Sequence, residues 1–318
     1  MNITNYLVAL AIGACVVGSA QAESISVSSC GEQLEFESVP ERVVVHDKNL
    51  TELLLTLGLR DRIVGVTGIT GWYGPSDELA AAIDGIPELN PKDPVLENIL
   101  SVGPDFFFAG WYYGMQPDGP VTPVLLEPFG IKTYVLSESC VHVGVEQRPS
   151  LELLYGDVRA LGSIFGVQDR AEVLLDSWSQ RVDVVRLRLE EVEPARVFMH
   201  YDGEATPFTA GGLGMVQTIF EAAGGANIMA DLEVNWGETS WEVVASRNPE
   251  FIVIFDDQTG EGPQRQVNVL KANPLMSQLD AVINERFVVV QYREIAPGPG
   301  NIEAIERIAK FLHPQVFE

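Results

Sequence analysis

The sequence predicts an α/β protein of two lobes with largely parallel sheets, joined by one long α-helix, with a ligand cleft between the lobes. Three observations carry this expectation. Short apolar runs recur along the chain, each beside a helical pattern, as in a parallel sheet covered by helices. Residues 169–192 contain neither Gly nor Pro, and apolar residues return there every three or four positions, so they read as one helix that Pro194 closes. The 318 residues are 46% hydrophobic and 20% charged, enough for a core on each side of that helix.

In chain order, residues 6–19 are an uncharged apolar run followed by Ala20-Gln21-Ala22, a small-x-small cleavage pattern. Residues 1–22 therefore read as a signal peptide cut after Ala22, and Ile12-Gly13-Ala14-Cys15 offers lipid attachment at Cys15 as the alternative. Residues 25–36 alternate apolar and polar around Cys30-Gly31, a hairpin signature. A β-branched run at 42–46 predicts a strand, and Asn49-Leu50-Thr51-Glu52 opens a helix that stops at Gly58. Further strands are expected at 63–66, 106–109 and 132–136 in an N-terminal lobe of residues 23–168. Residues 169–193 are the connecting helix, and strands at 197–200, 251–255 and 287–290 build a C-terminal lobe of residues 194–318. A single continuous domain holding a long helix is the alternative division.

Charge excludes one class of partner. Lys and Arg total 20 against 45 Asp and Glu, a formal charge of −25, which repels the phosphate backbone of nucleic acids. If Cys15 leaves with the signal, Cys30 and Cys140 remain in an oxidising compartment, where a pair implies a disulfide. It would close a loop of about 110 residues, worth ~4 to 5 kcal/mol in chain-entropy models. Two unpaired buried thiols are the other reading.

The aromatic residues point to a cleft. Trp72, Trp111, Trp236 and Trp241 fall in or beside loops, three of them in Gly71-Trp72-Tyr73-Gly74, Gly110-Trp111-Tyr112-Tyr113-Gly114 and Asn235-Trp236-Gly237. Large flat side chains next to glycines at the carboxyl ends of strands suit a large, partly apolar small molecule. Signs of catalysis are thin: there is no nucleophile elbow, P-loop or zinc-helix motif, and Gly212-Leu213-Gly214 lacks a third glycine and reads as a helix-opening turn. An exported two-lobed enzyme using a cleft Asp or His stays open as an alternative. His46 and His200 each end an expected strand, one per lobe, so His46, His142 and His200 could instead hold a bare metal ion such as zinc; His313 completes the set of histidines.

The order of the pieces resembles the solute-binding proteins of ABC importers for iron-siderophores, haem and cobalamin, over nearly all the mature chain. The segments that carry the likeness are Pro40-Glu41-Arg42-Val43, Leu50-Thr51-Glu52-Leu53, Ile63-Val64-Gly65-Val66, and Leu96-Glu97-Asn98-Ile99 leading to Gly103-Pro104-Asp105. In the second half they are Phe220-Glu221-Ala222-Ala223-Gly224-Gly225-Ala226-Asn227 and Ser240-Trp241-Glu242 leading to Asn248-Pro249-Glu250. The resemblance implies two Rossmann-like lobes closing over a chelate or macrocycle, no catalysis and no resident cofactor. It further implies a periplasmic monomer that delivers its ligand to a permease and its ATPase. It places permease docking at Glu97 and Glu242, where one carboxylate per lobe can accept paired Arg bonds. It places the cleft at Asp47, Lys48, Trp72, Tyr73, Trp111, Tyr112, Tyr113, Tyr201, Trp236, Tyr292 and Arg293. Trp111 and Trp236 are expected as its main walls, with Lys48 and Arg293 meeting any negative charge on the ligand. A helical hinge implies small lobe movement. Cys30 and Cys140 depart from many members of the family.

Overall fold

The computed structural model describes residues 24–258 and 262–317. The expected signal peptide and Cys15 lie outside the described residues. The chain opens with an antiparallel hairpin of β1 (Ile25–Ser29) and β2 (Glu32–Phe36), in which Ser29 stands opposite Glu32. Its two-residue turn needs left-handed backbone at both positions, and Cys30 (φ 48°) and Gly31 (φ 84°) supply it. Cys30 is joined to Cys140, which ties the hairpin to the segment Ser137–Val143.

The first sheet is built from β3 (Val43–His46), β4 (Ile63–Thr67), β5 (Glu88–Asn90), β6 (Phe106–Trp111), β7 (Gly114–Met115) and β8 (Lys132–Val135). All pairings are parallel, in the order β5-β4-β3-β6, with both β7 and β8 pairing β6. Helices cover both faces, which is why Val43-Val44-Val45 and Phe106-Phe107-Phe108 are unbroken apolar runs with every side chain fully buried. The second lobe contributes β9 (Ala195–His200), β10 (Phe208–Ala210), β11 (Gly225–Asn227), β12 (Trp236–Glu238), β13 (Phe251–Asp256) and β14 (Phe287–Gln291). Its main sheet is parallel in the order β11-β9-β13-β14, while β10 and β12 form a separate antiparallel ribbon. Strands of two or three residues, such as β7, β11 and β12, contain glycines and no apolar run, so their sequences carry no strand pattern.

Between the two sheets in chain order runs the helix Gln168–Arg188. It packs on helix Leu151–Ile164 of the first lobe and helix Gly300–Leu312 of the second, burying Leu175, Trp178, Val182 and Val185. Arg181 fixes it to the second lobe through a two-pronged bond to Glu306 at 2.9 and 2.8 Å. The helix stops short of residue 193: Glu190, Glu191 and Glu193 would crowd negative charge onto its negative end.

Side-chain alternation along the strands decides which residues face the junction. A central apolar cluster runs through both lobes and includes Val45, Phe108, Trp178, Met199 and Phe255. Residues of opposite parity fill a second cluster on the outer face of the first sheet, with Phe107, Ala109 and Trp111, and a third in the second lobe, with Phe198, Trp241 and Ile254. Among the described residues no helix is long and apolar enough to cross a membrane.

Candidate ligand-binding cleft

The lobes meet at the carboxyl ends of their parallel strands. Just after β3, Asp47 caps helix Lys48–Thr56, its carboxylate accepting from the Lys48 N–H at 2.7 Å and from the Tyr292 hydroxyl of the other lobe. Asp47 holds a left-handed φ of 70°, a strained backbone for a residue with a side chain, of order 1–3 kcal/mol. Further bonds cross nearby: the hydroxyls of Tyr73 and Tyr201 stand 2.8 Å apart, Asn49 donates to the Pro297 carbonyl at 2.7 Å, and Glu52 pairs with Arg293 at 3.4 Å. The Tyr201 ring stacks on Phe255 at 4.1 Å and meets Trp236 edge-on at 4.8 Å.

Beside this junction lies a cavity of about 640 Å³. Its aromatic walls are Tyr112, Tyr113, Tyr201, Phe208, Trp236 and Tyr292, and the antiparallel ribbon of the second lobe supplies Phe208 and Trp236. Val141, Leu213, Val234, Ile295 and Ala296 add apolar surface, while His142, Glu233 and Asn235 add polar groups. Rings from both lobes facing one space can sandwich a flat or bulky apolar ligand.

Glu138 is the polar link beneath this wall. It belongs to the 3-10 segment Ser137–Val143 of the first lobe, yet its Oε1 accepts from the Met215 N–H at 3.0 Å and from Asn235 Nδ2 at 3.2 Å, both in the second lobe. Burial pushes its carboxyl up to about 7, against the pull of Met215, Asn235 and Tyr113 as donors. The disulfide at Cys140 anchors the same segment, which also carries Val141 and His142 to the cavity. Gly214 opens helix Met215–Ala222, so the Gly212-Leu213-Gly214 stretch is indeed a helix-opening turn.

Of the residues expected in the cleft, Tyr112, Tyr113, Tyr201, Trp236 and Tyr292 line the cavity. Trp111 does not. The strand β6 runs two residues further than expected, and Trp111 shares the face of Phe107 and Ala109, only 9% exposed in the outer cluster of the first lobe. Trp72 is 56% exposed and lies under the Lys92 ammonium, away from the cavity wall. Asp47, Lys48, Tyr73 and Arg293 sit in the junction itself. Lys48 Nζ donates to the Tyr73 carbonyl at 2.6 Å and Arg293 pairs with Glu52 and Glu303, so neither cation reaches the cavity wall. Glu97 and Glu242 are both exposed in the first turns of short helices, Leu96–Ser101 in one lobe and Trp241–Arg247 in the other.

The histidines stand apart. His46 is buried with Nδ1 2.9 Å from Thr67 Oγ1, and His200 is buried against Trp241, its pKa pushed down to about 4 by loss of water. His142 meets Tyr112 edge-on at the cavity wall. Among the described residues, no three His, Cys, Asp or Glu side chains cluster closely enough to hold a metal ion. The wall residues missed in the sequence, Val141, His142 as a wall, Phe208, Leu213, Glu233 to Asn235, Ile295 and Ala296, lie in short helical turns, loops or a three-residue strand. The one local signal was Asn235, adjacent to Trp236; Glu138, two residues past a strand of the 132–136 run, follows the same strand-end rule as Asp47.

Two parallel-sheet lobes enclosing an aromatic cavity, with a long helix packed against both, define a two-lobed ligand-binding protein. Residues 43–293 match the model of the periplasmic binding protein family, and the chain belongs to that family. The vitamin B12-binding protein of Yersinia pestis (strain Pestoides F) is 26% identical over 232 residues, 73% of either chain. A periplasmic binding protein from Veillonella parvula superposes with a TM-score of 0.80 at 27% identity, over 92% of this chain and 99% of that one. An ABC-type Fe3+-hydroxamate transport protein from Saccharomonospora viridis shares the fold, with a TM-score of 0.76 at 24% identity over 91% and 99% of the two chains.

Proposed function

We propose that this chain is the exported substrate-binding protein of an ABC importer, capturing an iron chelate or related macrocycle such as haem or a corrinoid and delivering it unchanged to the membrane permease. The observation that carries the reading is the cavity between the lobes, walled by six aromatic rings. Membership of the periplasmic binding protein family and relatives named for vitamin B12 and ferric hydroxamates support it. In this reading residues 1–22 are a signal peptide removed after Ala22, and the mature chain works as a monomer in the periplasm. Tyr112, Tyr113, Tyr201, Trp236 and Tyr292 grip the ligand, while Asp47, Tyr73 and Arg293 hold the lobes in register beneath it. Glu97 and Glu242 dock on permease arginines, since each is an exposed carboxylate on its own lobe.

Titrating the mature protein with ferric siderophores, haemin, cyanocobalamin and zinc while following tryptophan fluorescence tests the reading. Saturable quenching by a chelate or macrocycle is expected, because Trp236 lies in the wall. Silence across the chelates, or a response to zinc alone, would overturn it.

A further inference from the structure

Charge in the cleft separates the ligands this protein can hold from those it must reject. Among the described residues, no Lys or Arg lines the cavity. The cations nearest to it are already committed: Lys48 to the Tyr73 carbonyl and the faces of Tyr73 and Tyr292, and Arg293 to Glu52 and Glu303. Across the second lobe, Arg265 is held by Asp202 and Asp257. An anionic chelate entering the cavity would lose its water and meet no counter-charge, which is costly for any buried ion.

The wall holds one carboxylate that no other residue uses. Glu233 is exposed, lines the cavity from the loop before β12, and its carboxylate forms no hydrogen bond or ion pair among the described residues. Asp47 lies close behind, bonded to the wall residue Tyr292. The formal charge of −25 extends the same sign over the whole molecule, so anions are repelled on approach as well as on entry. By contrast, an ammonium or amide N–H on the ligand edge can donate directly to Glu233.

We infer that the cleft selects ligands without net negative charge, and that Glu233 is its specificity-determining residue, pairing with an ammonium or amide donor on the rim of the bound chelate or macrocycle. This rests on the receptor reading above and narrows it, setting aside tris-catecholate chelates in favour of neutral corrinoids and neutral or cationic hydroxamates.

The test uses the mature protein and isothermal titration with three probes: a ferric trihydroxamate bearing a pendant ammonium, cyanocobalamin, and a ferric tris-catecholate. The better of the first two should bind at least about tenfold more tightly than the catecholate. Glu233→Lys should weaken that better ligand by about 5- to 20-fold, the range of a partly exposed charge-assisted bond, and narrow its lead over the catecholate. Glu233 has no internal partner, so the variant should keep the wild-type melting temperature, which a thermal scan checks. Catecholate binding as tight as the better of the other two probes, or an unchanged lead in Glu233→Lys, overturns the inference while leaving the receptor reading intact. Silence with all three probes and with haemin overturns the receptor reading itself.

Discussion

Replacing Glu138 with Gln removes a buried ionisable group from the junction while keeping its shape and its acceptor oxygen. Burial raises the folded-state pKa of Glu138 from 4.5 to about 7, so between those values the folded protein holds a proton that the unfolded chain has released. The stabilisation is complete below about pH 4.5 and is lost as pH rises through about 7, the direction that linkage requires for a raised carboxyl. About two and a half pKa units at 1.36 kcal/mol each come to ~3 kcal/mol. Tyr113, Asn235 and the Met215 N–H face the carboxyl as donors, and the buried Asp157 adds like charge. Asp157, itself raised to about 7 by burial, titrates in both proteins, so its contribution largely drops out of the comparison apart from its coupling to Glu138. Urea unfolding of wild type and Glu138→Gln at about pH 5 and pH 8 reads the effect. The variant should gain ~2 to 3 kcal/mol relative to wild type across that interval. Parallel pH profiles for the two proteins would refute the reasoning.

Other substitutions probe neighbouring parts. Cys140→Ser opens the loop closed between positions separated by 110 residues and should cost ~4 to 5 kcal/mol in urea unfolding, with the cavity segment Ser137–Val143 losing hydrogen-exchange protection first. Tyr292→Phe leaves the buried Asp47 carboxylate without its cross-lobe donor, and a stability loss of ~1–3 kcal/mol is expected by chemical denaturation. Glu97→Arg and Glu242→Arg should leave ligand affinity unchanged while lowering uptake in vesicles carrying the permease and ATPase; normal uptake in both would remove the docking assignment.

The fold was legible because its long strands are buried on both faces. Runs such as Arg42 to His46, Phe106 to Ala109 and Phe251 to Phe255, each beside a helical pattern, read as parallel strands, and the Gly- and Pro-free stretch reads as a helix. The cleft was legible only in part. Tyr201 and Tyr292 follow from the resemblance, which places the cleft in the loops after the strands, and Trp111 and Trp236 from their glycine neighbours and the rule that ligands gather at strand carboxyl ends. That rule failed for Trp111 because the side a residue faces depends on where its strand ends. Pairing with β7 extends β6 by two residues and puts Trp111 on the outer face with Phe107. Phe208, Leu213 and Glu233 come from short or irregular segments whose positions are fixed by tertiary contacts, and no periodicity marks them.

The central claim is that the ligand sits between the lobes against Trp236, and Trp236→Ala beside Trp111→Ala tests it directly. Trp236 lines the cavity and packs only partly on the central cluster, so its loss should weaken binding of the quenching chelate or macrocycle by tenfold or more while costing less stability than the loss of Trp111. Trp111 fills the outer core, so its loss should cost ~3–5 kcal/mol of stability yet leave affinity in the folded protein unchanged. The reverse pattern, with affinity lost in Trp111→Ala and kept in Trp236→Ala, would contradict the account.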